Sequence, residues 1–458
     1  MAREVTQTLA EFAAGLTYDR IPAAAREHTK NLLLDAVACA LAGPQGEETH
    51  QVAAFAAALA QSKESSVIAG DRLSLAGATL LNGYLVTAVT MCDVHRPTLT
   101  HITPEVVPPA LAIAERDALS GRDLLVALAA GFETATRVGL GWDFPAARAR
   151  GWHGPGIIGP FGAAAAAGRL LGLDEATMAR AYGLAGSQAA GTFAAWGTPT
   201  VKFHQMRGAL SGLMAALLAQ QKFVATSEFL TARDGGLYNA YSNGGKPEAA
   251  IADLGKHWEL EQIALRLWPC ASGIQGFVTA MFDLVQKHHL SFDQVQKVRV
   301  FTSKTLVDMH GMFPRYHGKF EALLSTHYCA AVILHDRVLT LAQFEPARYN
   351  DPKLTRFAAE RVETKVDASL TGVQAVVEAD LADGKTVAVR CEHSKGSPEN
   401  PLSRAEIEEK FRFYGKGVLP PARIDEAIAA ITKLESLKSV RSLMDILRAG
   451  GEQQRKSA

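Results

Sequence analysis

Residues 151–173 read GWHGPGIIGPFGAAAAAGRLLGL. Around His153, Pro155 and the paired glycines Gly154 and Gly156 exclude a helix interior. Beyond them the pattern turns helical, with Ile157, Ile158, Phe161, five consecutive alanines and a closing leucine-rich turn. Ala and Gly on an apolar face let a partner axis approach closely, so this stretch predicts a tightly packed helix with an imidazole at its mouth. The same small-residue style spreads outward through PAAAREHTKNLLLDAVACALAG (22–43), SLAGATLLNGYLVTAVTM (74–91), PEVVPPALAIAERDAL (104–119), SGRDLLVALAAGFETATRVGL (120–140) and QMRGALSGLMAALLAQQKFV (205–224). Ser120 and Asp174 open two of these segments as N-caps. Residues 1–265 therefore predict an all-helical domain with short connections.

Near residue 266 the period changes. VQKVRVFTS (295–303), ERVETKVDAS (360–369) and QAVVEADLADGKTVAVRCE (374–392) alternate as strands, the last folded on itself at Asp383-Gly384. Helical stretches, GIQGFVTAMFDLVQKHH (273–289) and KFEALLSTHYCAAVILHD (319–336), lie between. After KGSPENP the helical pattern returns, so 270–402 reads as an α+β domain and 403–458 completes the helical one, with GEQQRKSA fraying at the end. The fold class is mainly α with a smaller α+β domain.

Among the 458 residues, 47 Lys and Arg balance 47 Asp and Glu, which argues against a nucleic-acid partner. No uninterrupted run of about 18 apolar residues predicts a membrane span, and MAREVTQTLAEFAAGL lacks the pattern of a signal peptide. Cys39, Cys92, Cys270, Cys329 and Cys391 are widely separated and never form C-x-x-C. That fits a reducing cytoplasm and gives no disulfide framework or metal spacing.

The densest polar stretch is TMCDVHRPTLTHITPE (90–105), which carries Asp93, His95, Arg96, Thr98, His101 and Glu105 between helical segments. Two imidazoles, carboxylates and a guanidinium in one loop can hold a small anion and move protons; the structural alternative is a capped helix connection. His95 and His101 lack a usual metal-ligand spacing. His153 beside a helix N-terminus suits a bound carboxylate, with glycines that let a ligand approach. Lys202, His204 and Arg207 within six residues suggest a local anion site, or else a solvated basic face. Cys270 follows a proline at a helix start, and Tyr328, beside His327, opens another helix as a potential donor. Nucleotide-binding and G-x-S-x-G motifs are absent.

Together, LLLDAVACALAG, LLNGYLVTAVTMCDVHRPTLTHITPEVVPPALAIAE, GWHGPGIIGPFGAAAAAGRLLGL, VKFHQMRGALSGLMAALLAQQKFVA, WPCASGIQGFVTA and KFEALLSTHYCAAVIL resemble the MmgE/PrpD family, over nearly the whole chain. The resemblance implies a helical domain built from both chain ends, an α+β lid, an active site in the cleft between them, a homodimer, and no metal or organic cofactor. It implies catalytic roles for Asp93, His101, His153, Lys202 and Tyr328. Substrate-binding roles are expected for His95, Arg96, Thr98, Arg207 and Gln275. Two departures stand out: the family's D-x-D-D run reads Thr90, Cys92, Asp93 here, and a histidine after the P-C segment is replaced by Gln275. The activity expected is proton abstraction next to a carboxylate of a small di- or tricarboxylate, first as a 2-methylcitrate dehydratase-like lyase. The alternatives are an iminodisuccinate-like epimerase and a non-catalytic carboxylate-binding protein.

Overall fold

A computed structural model describes residues 4–311 and 316–448; the tail expected to fray, 451–458, lies outside them. Two compact units arise, one from 1–265 with 403–458 and the other from 266–402.

The helical unit is built on α1 (Ala23–Ala42), α2 (Leu75–Thr87), α3 (Thr103–Arg116), α4 (Gly121–Gly141), α5 (Gly154–Leu170) and α6 (Thr200–Gln220). The quoted stretch forms α5, which packs against α3, α4 and α6. Its small residues are required by the contacts they make. A Cβ at Gly162 would lie 2.7 Å from Ala135 Cβ of α4, and one at Gly212 of α6 would lie 2.3 Å from Ala163 Cβ and 2.6 Å from Pro160 O. The helix begins one step earlier than a glycine loop would allow, at Gly154 with His153 as its N-cap. Pro155 is tolerated there because the first-turn N–H groups have no intrahelical acceptor. Ser120 opens α4 with a capping box to Asp123, and Asp174 accepts from Thr177 N at 2.8 Å. Among the described residues α4 is the one helix long and apolar enough to cross a membrane, and 94% of its apolar window is buried within the protein.

The second unit contains α7 (Gln275–Lys287), β1 (Val295–Thr302), α8 (Thr326–Asp336), β2 (Val362–Val366), β3 (Ala375–Leu381) and β4 (Thr386–Cys391). The sheet order is β2-β1-β3-β4. β1 and β2 pair in parallel (Val300↔Thr364) across a helical crossover, while β3 runs antiparallel to both β1 (Val300↔Val377) and β4 (Val377↔Val389). Gly384, at φ +83°, turns the β3–β4 hairpin. α7 packs on β3 and β4, and also against α8, which touches β2.

The chain then returns to the helical unit as α9 (Arg404–Gly415) and α10 (Pro421–Thr432). α9 lies against α1. Lys410 Nζ reaches Asp35 Oδ1 at 2.6 Å, with side chains 1% and 0% exposed, and donates to Met91 O at 3.2 Å. This buried pair fastens the returning helix to α1 and to the segment leading into the 90–105 stretch. Removing one partner of such a pair costs roughly 3–5 kcal/mol, because the other charge stays buried alone. Lys410→Met should accordingly lower the urea midpoint sharply, and adding Asp35→Leu should recover much of the loss. Equal midpoints for Lys410→Met and the parent chain would show that the pair does not hold the return.

Candidate active site

The 90–105 stretch is held shut from within. Asp93, fully buried, accepts from Ile102 N at 2.8 Å, from Thr103 N at 3.0 Å and from the Thr103 hydroxyl. It satisfies the N-terminus of α3 from across the loop. Burial holds its carboxyl up at about 6, against the pull of those donors. Thr90 and Leu99 take left-handed backbone at φ +56° and +47°, a cost that persists where surrounding contacts over-determine the loop.

The two histidines of the loop do different work. His95 is fully buried, with Nε2 at 2.8 Å from Glu259 Oε1 and Nδ1 at 2.8 Å from Thr98 Oγ1. A carboxylate only accepts, so Nε2 carries the proton and Nδ1 accepts from the threonine hydroxyl. The loop is thereby pinned to the Ile263–Ala264 end of the unit, where His95 also pairs in register with Ile263. Both ring nitrogens of His95 are engaged, one by Glu259 and the other by Thr98. His101 is half-buried, and its Nδ1 lies 2.5 Å from Asp93 O. A carbonyl only accepts, so the His101 ring carries its proton on Nδ1 and Nε2 is the basic nitrogen.

His153, 8% exposed at the N-cap of α5, places Nδ1 at 2.8 Å from Nδ1 of His204 on α6. Burial, together with the neighbouring His204, His101 and Arg148, holds the His153 imidazolium well below the ordinary histidine range. Burial and Arg207 lower His204 as well. Both rings are neutral at pH 7. The glycines beside His153 make room for protein and not for a ligand. A Cβ at Gly154 would sit 2.4 Å from Thr100 Oγ1, and one at Gly156 would sit 2.1 Å from Ala190 O.

Lys202, His204 and Arg207 do not form one anion site. At about 100° per residue, positions 202 and 204 point roughly 200° apart on a helix. Lys202 Nζ meets Glu48 Oε2 at 3.0 Å, and Glu48 also accepts from Tyr84 OH at 2.8 Å. Arg207 donates to Gln188 O (2.5 Å), Ala190 O (2.8 Å), Gly156 O (2.9 Å) and Ser211 Oγ (3.1 Å). It staples the 188–190 turn to the start of α5, and the expected substrate contact is replaced by this structural one. Arg96 begins the short 3₁₀ turn Arg96–Thr98.

Glu105, in the first turn of α3, is fully buried, and its two oxygens have no hydrogen-bond partner among the described residues. Burial and the nearby Asp93 raise its pKa well above the ordinary carboxylate value, which favours the protonated acid. In the other unit, Tyr328 sits in the first turn of α8, fully buried, and its hydroxyl donates to Gln343 O. Burial pushes this phenol up, so it stays protonated. Gln275 opens α7 and donates to Trp268 O (3.2 Å), Cys270 O (3.2 Å) and Cys270 Sγ (3.0 Å). It closes the turn before its own helix. Among the described residues, no group of three His, Cys, Asp or Glu side chains is arranged to hold a metal.

Some partners had no legible signal. Glu48, in GEETH, reads as a solvated acid, and Glu259 as part of a polar turn. His204 was visible as a basic residue but not as a partner of His153.

The MmgE/PrpD N-terminal domain matches residues 7–250 and the MmgE/PrpD C-terminal domain matches 268–435. The second match runs past 402 into α9 and α10, which belong to the helical unit. The cis-aconitate decarboxylase-like protein oryM of Aspergillus oryzae is 30% identical over 97% of this chain and 97% of its own length. Cis-aconitate decarboxylases of Aspergillus terreus and Homo sapiens are each 26% identical, over 97% and 98% of this chain and 96% and 95% of their own lengths. With both domains matched along most of its length, the chain belongs to the MmgE/PrpD family.

Proposed function

We propose that the chain is a cofactor-independent lyase acting on a small di- or tricarboxylate, and that its reaction is loss of CO₂ from an unsaturated tricarboxylate such as cis-aconitate. The observation that carries the reading is the placing of two imidazoles, His101 and His153, each with its Nδ1 tied to a fixed partner. They interact electrostatically with one another. Full-length similarity to proteins named cis-aconitate decarboxylase supports this choice over a 2-methylcitrate dehydratase-like lyase.

When the bond to a leaving carboxylate breaks, its electron pair stays on carbon and spreads into the neighbouring unsaturated or carboxylate system. An acid must then deliver a proton to carbon. Loss of CO₂ breaks no C–H bond and consumes one proton, so the imidazole takes that proton from solvent at Nε2 and delivers it to carbon. The negative substrate itself favours the charged ring while bound. Lys202 and Arg96 are the cations proposed to balance substrate carboxylates, with Glu48 setting the Lys202 position.

A hydro-lyase acting on a 2-methylcitrate-like substrate is the second reading. It is favoured by Glu105, whose buried, unpartnered carboxyl is biased toward its acid form beside Asp93, since departing hydroxide needs an acid. An epimerase would use His101 and His153 on opposite faces of one carbon.

A panel of cis-aconitate, 2-methylcitrate and iminodisuccinate followed by NMR separates these readings. CO₂ and an unsaturated dicarboxylate from cis-aconitate are expected. Water loss from 2-methylcitrate would select the hydro-lyase, and inversion alone the epimerase. Saturable binding without turnover or exchange would leave a carboxylate-binding protein and overturn the catalytic reading. His153→Asn keeps a polar atom near the Nδ1 position and removes Nε2. It should cut kcat by about 10²–10⁴-fold with an unchanged circular dichroism spectrum.

We also propose a cytoplasmic homodimer. Phe203, Met214 and Leu218 are 44%, 44% and 39% exposed on α6. Their spacing puts them on one stripe, an apolar face suited to a second copy. Light scattering at twice the chain mass is expected at micromolar concentration. A chain-sized mass there would contradict the dimer.

A further inference from the structure

We infer that His204 is a positioning residue whose Nδ1 fixes the tautomer of His153; the inference rests on the catalytic reading of His153 given above. An Nδ1–Nδ1 contact of 2.8 Å requires one nitrogen to donate and the other to accept. The two rings therefore hold a single proton between them, and the state of His153 is tied to that of His204. With His153 Nδ1–H donating to His204, Nε2 of His153 carries the lone pair that takes a proton. In the proposed decarboxylation that proton comes from solvent, since loss of CO₂ breaks no C–H bond and consumes one proton. Nδ1–H of the resulting imidazolium stays bound to the neutral His204, which spreads the new charge over two rings. When the C–CO₂ bond breaks and its electron pair stays on carbon, Nε2–H delivers this proton to carbon and the ring returns to neutral.

The surroundings hold His204 for this role. Gly191 has φ +129°, and a Cβ there would stand 2.9 Å from Cγ and 3.0 Å from Nδ1 of the His204 ring. Gly191 O accepts from His153 N at 3.1 Å, so one residue touches both partners. Arg207, one helical turn beyond His204, secures the 188–190 turn that leads into Gly191. The edge of Phe193 closes the other side of His153, at a centroid distance of 5.5 Å and 75° between planes. The charged and titratable groups facing the pair are His101 from the 90–105 loop, Arg148 from the helix Phe144–Ala149, and Arg207 from α6. None is a carboxylate, so the hydrogen-bond partner of His153 Nδ1 is a second imidazole and not an acid. This pair resembles the orienting half of a catalytic triad, with an imidazole in the place usually taken by an acid.

The test combines ring spectroscopy with kinetics on the full chain. Nitrogen-15 NMR of ¹⁵N-histidine-labelled protein, assigned with His153→Asn and His204→Asn, should show His153 in one neutral tautomer, with Nδ1 protonated and Nε2 bare. His204→Phe keeps the ring volume and removes the acceptor. It should leave His153 in mixed tautomers and lower kcat by tenfold to a hundredfold, on the scale seen when partners that orient a histidine are lost, with KM nearly unchanged. His204→Asn offers its Oδ1 near the lost Nδ1 and should restore kcat to within severalfold of the parent. An unchanged His153 tautomer in a folded His204→Phe protein would overturn the inference, as would parental kcat. If His204→Phe does not fold, the parent spectrum decides: a protonated Nε2 with a bare Nδ1 on His153 overturns it. A locked tautomer in a chain that turns over no carboxylate would instead sink the catalytic reading and leave the pairing intact. Parental kcat in His204→Phe beside an inactive His153→Asn would do the reverse.

Discussion

The close contact of α5 with α6, made where Gly212 lies on Pro160 and Ala163, sets the geometry from which the site follows. Side chains on either helix at that crossing would force the axes apart. Because they are missing, the start of α5 and the first turns of α6 are drawn together, and His153 meets His204 at hydrogen-bond distance. The alanine run is therefore a positioning device for imidazoles about two to four turns away. Arg207 serves the same end, joining the start of α5 to the 188–190 turn through three carbonyl acceptors. The returning chain end closes the arrangement: Lys410 pairs with Asp35 and holds Met91, two residues before Asp93.

A second constraint is electrostatic. The charged groups seen in the sequence as free to meet a substrate are largely engaged. His95 is tied to Glu259, Lys202 to Glu48, and Arg207 to backbone carbonyls. What remains adaptable is protonation. His153 and His204 are held neutral by burial and neighbouring cations, while Asp93 and Glu105 are held toward their acid forms. A site of this kind stores little net charge at rest and gains it only when an anion arrives, as proton transfer at carbon demands.

Much of the fold was legible. Period-3.6 patterns located the helices, Asp383-Gly384 located the hairpin, and Ser120 and Asp174 announced their caps. The start of α5 was misplaced because Gly-Pro-Gly usually signals a loop, whereas here it is a first turn compressed against Thr100 and Ala190. In the site, residue types were visible but partnerships were not. His153 and His204 are 51 positions apart, Lys202 and Glu48 are 154, and Lys410 and Asp35 are 375. No local pattern encodes such pairings. Lys202, His204 and Arg207, neighbours in sequence, turn to different partners: Glu48, His153 and the carbonyls of the 188–190 turn. Gln275, read as a lost acid–base group, closes the turn before α7 through its own amide.

The account turns on an imidazole that exchanges protons with a carbon next to a carboxylate. Turnover of cis-aconitate in D₂O, with the product examined by proton and deuterium NMR, tests this most directly. The account predicts one deuterium at a single stereochemical position of the carbon from which CO₂ departs or of its allylic neighbour, and loss of that incorporation in His153→Asn. Product free of solvent deuterium, deuterium equally distributed between both faces, or full labelling by the His153→Asn protein would contradict it.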